Sequence, residues 1–590
     1  MAKHKKVVKP ESRYRHLIIL GVLIVLMFLL RVIGPYKNVF IGDDVIFMGN
    51  DAWYHIRLAE NMIGNFPNPM FFDKYTGFPV GSDIIIPPMM SWIIIISSYI
   101  VGFGHLTVHT VQVVGAWIPP IMAALTMIPV YIIGREIHNK WTGVLAVAIA
   151  GLMPTAFLHR SMLGFTDHHI LEVLFLTTTV MFVTLAYRKS QLKYYMFAGI
   201  SLGMFHLSWQ GAIYGLFIIW AWIVIQFVWD YKKNQSVDLL WKGSTLMLGI
   251  SALMHLPWLL KSAMPIDYTF IPTLAFATPF VLFLFTKFLN SKQLIIALIS
   301  IGLVGFIGGY LIIPESIGLI GYAISWNPGA RTISETLAML PQAAFMEYGA
   351  NLVLFFGGMS FFLIKRKMPL LVVLWSMYVF ISVSTQCRWD YYFNIVIAIM
   401  SAFFFTTLGV YFIKEVRKGI SLVLVVALLF ITTPTAISMS TIPSLMNADW
   451  YNALNVLREN TEEPFDTEDS YYQTDLQEEA KYGVMSWWDY GHWITQISHR
   501  VPVSNPFQQH AIEAGEFFVL GKEVEGVKYV IVDIPMYTGK YYAMLSFIGQ
   551  NPVGVTQAPD DSHIMKLVRG ELPNYVLVYE NATVKIFEKV

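Results

Sequence analysis

The sequence predicts a many-span helical membrane domain followed by a mixed α/β domain outside the bilayer. Three observations lead there. Of 590 residues, 56% are hydrophobic and only 13% are charged, far from the average soluble chain. About thirteen apolar stretches of membrane length lie before residue 440. Beyond that point 21 acids face 10 lysines and arginines, and short β-branched runs replace the long apolar ones. The net charge of +1 thus conceals a basic membrane part and an acidic tail, which argues against a nucleic-acid partner. A single cysteine, Cys387, excludes an intrachain disulfide framework and any cysteine-based metal site.

Six basic residues, Lys3, Lys5, Lys6, Lys9, Arg13 and Arg15, precede the apolar run from Leu17 to Ile33. That run is long and no small-residue cleavage site follows, so it reads as a retained first span with a cytoplasmic N-terminus. The stretch 89–102 is apolar but short and follows Pro87-Pro88, so it either spans or lies at the interface. Charge selects the second option, because a span there would turn the basic loop from Arg135 to Lys140 outward. Twelve further spans follow at about 111–134, 141–157, 170–187, 193–208, 212–230, 239–259, 268–286, 293–312, 349–364, 369–385, 391–412 and 419–437.

The predicted organisation is therefore a membrane domain over 1–440, with large outer loops at about 35–110 and 313–348, and an outer domain over 441–590. In that domain a helix is expected from Trp450 to Arg458, an acidic loop from Thr461 to Asp475, and strands at 527–532 and 575–579. With thirteen spans the C-terminal domain is extracellular, and Asp51, Asp167 to His169, Arg331 to Glu335, Arg388 and the aromatic stretch from Ser486 to Trp493 share one face.

Several of these residues suit chemistry. Asp51, Asp167 and His169 offer carboxylates and imidazole to Mn²⁺ or Mg²⁺; alternatively Asp167 caps the helix starting near His169. Arg160 either meets a phosphate bidentately or snorkels from its span end. Arg388 either binds an anion or pairs with Asp390. Glu335 supplies a carboxylate from a loop of about 36 residues, longer than a connection requires. Trp487, Trp488 and Asp489 build either a pocket or an ordinary strand-to-helix turn in a core. Asp533 precedes a helix on which Met536, Lys540 and Met544, at spacing four, would share one face.

Together these residues make the chain resemble the catalytic subunit of oligosaccharyltransferase, most closely the archaeal single-subunit form, over its whole length. Trp487 to Gly491 forms the Trp-Trp-Asp-Tyr-Gly signature. Asp51, Asp167-His168-His169, Thr332-Ile333-Ser334-Glu335 and the set Asp533, Met536, Lys540 and Met544 follow the weaker motifs in order. The resemblance implies a glycosyltransferase C-type membrane fold. It also implies transfer of an oligosaccharide from a dolichol phosphate or pyrophosphate carrier to the asparagine amide of Asn-x-Ser/Thr.

By the same resemblance, Asp51, Asp167 and His169 hold the cation, and Asp51 and Glu335 engage the acceptor amide. Arg160, His168 and Arg388 meet the lipid phosphate. Trp487, Trp488, Asp489, Met536 and Lys540, with Glu335 ordering its loop, bind the acceptor sequon. His169 stands where other members carry a carboxylate, which leaves the metal site less anionic. The expected partners are the lipid-linked donor, an acceptor polypeptide and the bilayer, with the chain acting as a single subunit. Two rival readings make other predictions. A protein O-mannosyltransferase-like enzyme would share the outer acids but has no use for the signature, and a transporter would show mid-span ionisable residues and half-repeats.

Overall fold

The computed structural model describes residues 11–265, 267–312, 335, 337–365, 369–408, 434–474, 476–550 and 553–590. Helices occupy the predicted spans as far as these residues reach. The predicted span at 419–437 and the loop residues Arg331 to Ser334 fall wholly or mostly outside them. Among the described residues, eight helices are long and apolar enough to cross a membrane, from Tyr14–Val39 to Cys387–Leu408. Lys140–Leu152 and Leu370–Thr385 are apolar but shorter. At 1.5 Å per residue, a 13-residue helix reaches about 20 Å, less than the hydrocarbon thickness.

The helix Met89–Val101 buries Met90, Ile94, Ile95 and Ser98 against its neighbours. Its other face exposes Ile96, Ile100 and Val101, and Phe103 beyond it is bare, an apolar surface suited to lipid.

The first span is tied to the rest of the bundle by a buried arginine. Arg31 Nε donates to Ser161 Oγ at 2.7 Å, and its Nη1 donates to the carbonyls of Met27 and Gly151. One side chain therefore fixes the end of the first span, the helix Lys140–Leu152 and the loop that follows.

The C-terminal domain begins with the helix Ala448–Asn460, capped where Asn447 accepts from the Trp450 amide. Its four-stranded sheet is built around Val527–Asp533, which pairs parallel with Gly483–Met485 and antiparallel with Val584–Lys589; Tyr575–Glu580 forms the far edge. Val530, Ile531 and Val532 are fully buried, as a central strand covered on both faces requires.

This domain is locked onto the helix Asp51–Asn65. Arg57 makes a bidentate pair with Asp73 at 2.7 Å and lies 4.1 Å over the ring of Tyr471. Glu60 accepts from Gln112 and from Gln496, both at 2.8 Å, joining that helix to a membrane helix and to the C-terminal domain at once. Buried charged and polar groups of this kind require their partners, so the two parts of the chain have one relative position.

Candidate active site

Two segments bring the chemistry together. The first is the helix Asp51–Asn65, whose opening turn carries Asp51; a carboxylate there is favoured by the helix dipole. Asp51 is half exposed, while His55, one turn on, is buried. The second is the loop between Lys140–Leu152 and His169–Lys189. Met153-Pro154 ends the earlier helix. Gly164 adopts φ +83°, and a Cβ there would meet Val39 at 2.7 Å, so only glycine allows this turn to pass the first outer loop.

Asp167 is the hub. Its Oδ1 lies 2.5 Å from His168 Nδ1 and 3.4 Å from His55 Nε2, and its Oδ2 lies 3.3 Å from His169 Nε2. His55 Nε2 and His168 Nδ1 are 3.0 Å apart. Burial opposes ionisation of Asp167, yet His169 and His168 overcome it and hold the carboxyl well below its usual range. Burial likewise opposes the charge on His168, which Asp167 nonetheless pushes up to about 9. Desolvation in the cleft, then the charge of Asp167, pushes Asp51 up to about 7.

The capping alternative for Asp167 does not hold, since no side chain caps the helix His169–Lys189 and the carboxylate is turned to the histidines. His169 is oriented from behind: its Nδ1 lies 3.1 Å from Glu172 Oε1. Glu172 Oε2 in turn accepts from the hydroxyls of Tyr391 and Tyr392 at 3.0 and 2.6 Å. With Nδ1 turned to Glu172, Nε2 is the His169 nitrogen left facing Asp167 and Arg160, the arrangement that orients a histidine for ligating a metal. Arg160 Nη1 lies 2.5 Å from that Nε2, and its Nη2 donates to Glu335 Oε2 at 2.6 Å. Arg160 is thereby at the site and not snorkelling.

The carboxylates and imidazoles fit a divalent cation. Ligand atoms about 2.1 Å from one ion stand roughly 3.0–3.4 Å from each other in tetrahedral or octahedral geometry. The separations of Asp167 from His55 and His169, and of His55 from His168, fall in that range. Two groups among the described residues could hold an ion, His55–Asp167–His168 and His168–His169–Glu172. Asp51 belongs to neither; it stands at the rim, where His492 Nε2 lies 3.9 Å from its Oδ1. Sequence reading does not single out His55 or Glu172. Their one available signal was spacing, four residues after Asp51 and three after His169.

Arg388 lies 5.7 Å over the ring of Trp389, and its charge reaches Glu335. Burial works to raise the Glu335 carboxyl, but Arg160 first and Arg388 next hold it down at about 2. An Arg388–Asp390 pair does not form: Asp390 accepts from the Ala156 amide at 2.5 Å and from the Tyr348 hydroxyl.

On the C-terminal side, the strand Gly483–Met485 runs into a turn Trp488–Tyr490 and then a helical segment. The stretch is therefore a strand-to-helix turn and a surface at once. Trp487 is buried edge-on against Phe547 at 5.6 Å, whereas Trp488 and Asp489 remain partly open. Lys540 Nζ donates to Asp489 Oδ2 at 2.5 Å and sits 4.2 Å over the Tyr490 ring. Asp533 accepts from Tyr490 at 2.6 Å and Trp450 at 2.9 Å, and caps the Met536 amide.

One expectation is corrected. Met536, Lys540 and Met544 do not share the face of one helix, because Ile534–Thr538 ends at Gly539 and Tyr541–Phe547 begins anew after Lys540. The amides of Gly539 and Lys540 both turn back to the Pro535 carbonyl, which breaks the helical ladder. Lys540 still reaches Asp489, while Met536 and Met544 are wholly buried.

The geometry agrees with what the chain resembles among known proteins. The family model described as "Oligosaccharyl transferase STT3, N-terminal" matches residues 22–447, and "AglB core domain" matches 447–542. Dolichyl-phosphooligosaccharide-protein glycotransferase 3 of Archaeoglobus fulgidus is 29% identical, over 90% of this chain and 71% of that protein. The crystal structure of the Archaeoglobus fulgidus oligosaccharyltransferase in complex with Zn and sulfate superposes with a TM-score of 0.81, at 26% identity, over 95% of this chain and 79% of that one. The archaeal oligosaccharyltransferase AglB of Archaeoglobus fulgidus, in complex with an inhibitory peptide and a dolichol-phosphate, gives a TM-score of 0.85 at 26% identity, over 97% and 80% of the two chains. A helical membrane part, a C-terminal globular domain and two matching family models lead to one statement: this chain belongs to the oligosaccharyltransferase family defined by STT3 and AglB.

Proposed function

We propose that the chain transfers an oligosaccharide from a dolichol phosphate or pyrophosphate carrier to the side-chain amide of Asn-x-Ser/Thr, outside the cell membrane and as a single subunit, with Mn²⁺ or Mg²⁺. One observation carries this reading: Arg160 joins His169 to Glu335 beside Asp167, while Asp51 on the same cleft faces the segment that carries Trp488 and Asp489. On this reading, donor chemistry and acceptor recognition would meet between the membrane helices and the C-terminal domain. Support also comes from the relative bound to a dolichol-phosphate and an inhibitory peptide, and from the one bound to Zn and sulfate.

Asp167 and His169 would hold the cation, with Asp51 closing the set from the rim and His55 and His168 beside it. When bound, the cation supplies Lewis-acid stabilisation of the departing phosphate. Arg160, Arg388 and His168 add positive charge where negative charge develops, which is where fixed charge accelerates a reaction most. An amide nitrogen is a poor nucleophile because its lone pair is delocalised into the carbonyl. Asp51 and Glu335 accepting its N–H bonds weakens that delocalisation. Trp487, Trp488 and Asp489 would take the Ser/Thr hydroxyl, with Lys540 holding Asp489 in place. A partly buried carboxylate denied that hydroxyl loses about 1–3 kcal/mol, enough for a ten- to hundredfold preference, by order of magnitude. Met536 and Met544 would back the pocket.

The test is transfer by detergent-solubilised chain with native lipid extract and paired Asn-x-Thr and Asn-x-Ala peptides, before and after chelation and with Mn²⁺ or Mg²⁺ restored. Transfer to the threonine peptide alone, abolished by chelator and recovered with metal, is the expected result. Equal transfer to both peptides removes the sequon role, and activity unaffected by chelator removes the metal.

A further inference from the structure

His492 follows the Trp487–Gly491 signature directly, and the chemistry above makes no use of it. Its ring is fully buried, stacked on Tyr54 at 4.4 Å and set against the edge of Phe507 at 4.9 Å. Among the described residues neither ring nitrogen has a hydrogen-bond partner. A buried polar group without one is costly, and a phenylalanine would pack the same space at no such cost. The imidazole is therefore kept for a partner.

The geometry indicates which. His492 Nε2 lies 3.9 Å from Asp51 Oδ1, too far for a hydrogen bond. The two sides of that gap differ in freedom. The histidine is held between two aromatic rings, and the backbone before it is packed so closely that a Cβ on Gly491 would meet the Ser504 carbonyl at 2.4 Å and Asn505 Cα at 2.6 Å. Asp51, by contrast, is 49% exposed to the cleft. The carboxylate is the part free to move about an ångström and close the contact.

We propose that His492 is a positioning residue for Asp51, its Nε2–H donating to Asp51 Oδ1 once acceptor and donor fill the cleft and leaving Oδ2 to face the reacting groups. A rigid donor behind a mobile carboxylate orients it at little cost in entropy at the moment of reaction. Asp489 and His492 are three residues apart on one packed segment, so acceptor recognition and the alignment of Asp51 are set by the same piece of chain. The proposal rests on Asp51 being the catalytic carboxylate.

The test compares the full chain with His492→Phe, His492→Gln, His492→Asn and Asp51→Ala in the peptide-transfer assay, with thermal midpoints recorded alongside. His492→Phe keeps the ring packing and removes the donor. It should lower kcat by about 10–100-fold with the peptide KM changed by less than about threefold, at a near-native midpoint. His492→Gln places an amide nitrogen near the Nε2 position and should recover part of kcat, whereas His492→Asn, which mimics Nδ1, should not. Wild-type kcat in His492→Phe beside an inactive Asp51→Ala overturns the proposal and leaves the ring as packing. Should the phenylalanine variant unfold, the Gln and Asn variants decide it, and equal kcat in those two overturns it. An active Asp51→Ala overturns the catalytic reading itself, whatever the His492 variants do.

Discussion

The Arg160 guanidinium bridges His169 and Glu335, with one nitrogen 2.5 Å from the imidazole Nε2 and the other donating to the carboxylate at 2.6 Å. It joins the first residue of the helix His169–Lys189 to a carboxylate more than 160 positions away in sequence. The proposed function gives the two partners different jobs, metal ligation for His169 and acceptor binding for Glu335, and Arg160 stands beside the His169 nitrogen that a cation would use.

Removing this bridge should be visible in the pH profile. Arg160 is the largest of the charges that hold Glu335 at about 2 against the effect of burial. In Arg160→Ala that carboxyl rises, so Glu335 is protonated at higher pH. The acidic limb of kcat/KM should move up in pH relative to wild type, and an unmoved limb would separate Glu335 from catalysis.

Asp51→Ala and Glu335→Ala should each lose transfer by more than about a hundredfold, the scale of removing a group that acts on the reacting atoms. Single-turnover transfer to an Asn-x-Thr peptide measures it. Retained activity in both variants would dismiss the carboxylate assignment.

Trp488→Ala should act differently. Trp488 is partly open beside the Asp489–Lys540 pair, so its loss should raise the peptide KM by about tenfold while kcat falls little. Initial rates across a peptide series decide between that pattern and a loss of kcat.

His55→Ala should weaken Mn²⁺ binding by about 10–100-fold, as removal of a neighbouring ligand or its orienting partner does. The free-Mn²⁺ electron paramagnetic resonance signal reports this without any turnover. Unchanged affinity would leave His55 outside the set of residues that hold the metal.

Stability should fall with pH through Glu60. Burial pushes this carboxyl up to about 7, against the opposing hydrogen bonds from Gln496 and Gln112. The folded chain keeps a proton that the unfolded chain gives up near 4.5, so stability is greatest below about 4.5 and is lost as pH rises to about 7. Glu60→Gln carries no charge in either state. Its thermal midpoint, relative to wild type, should climb between pH 5 and about 7.5 and then level off; a constant difference would mean that Glu60 ionises freely in the folded chain.

Hydropathy and charge along the chain determined the succession of membrane helices and the acidic α/β tail. These are sums of local terms, because a residue prefers lipid or water whatever its distant neighbours are. The motif residues Asp51, Asp167, His169, Arg160, Glu335 and Trp487 to Asp489 were legible for the same reason: their types and spacing can be read without a partner. The partners could not. That His55 and Glu172 flank the predicted ligands, that Asp390 belongs to Tyr348 and Ala156, and that the helix after Asp533 breaks at Gly539 are outcomes of packing. Contacts such as Glu60 to Gln496 or Arg57 to Tyr471 join positions more than 400 residues apart. Tertiary structure decided them, because a buried polar group takes whichever partner the close-packed interior brings within reach, and no pattern in the sequence says which that is.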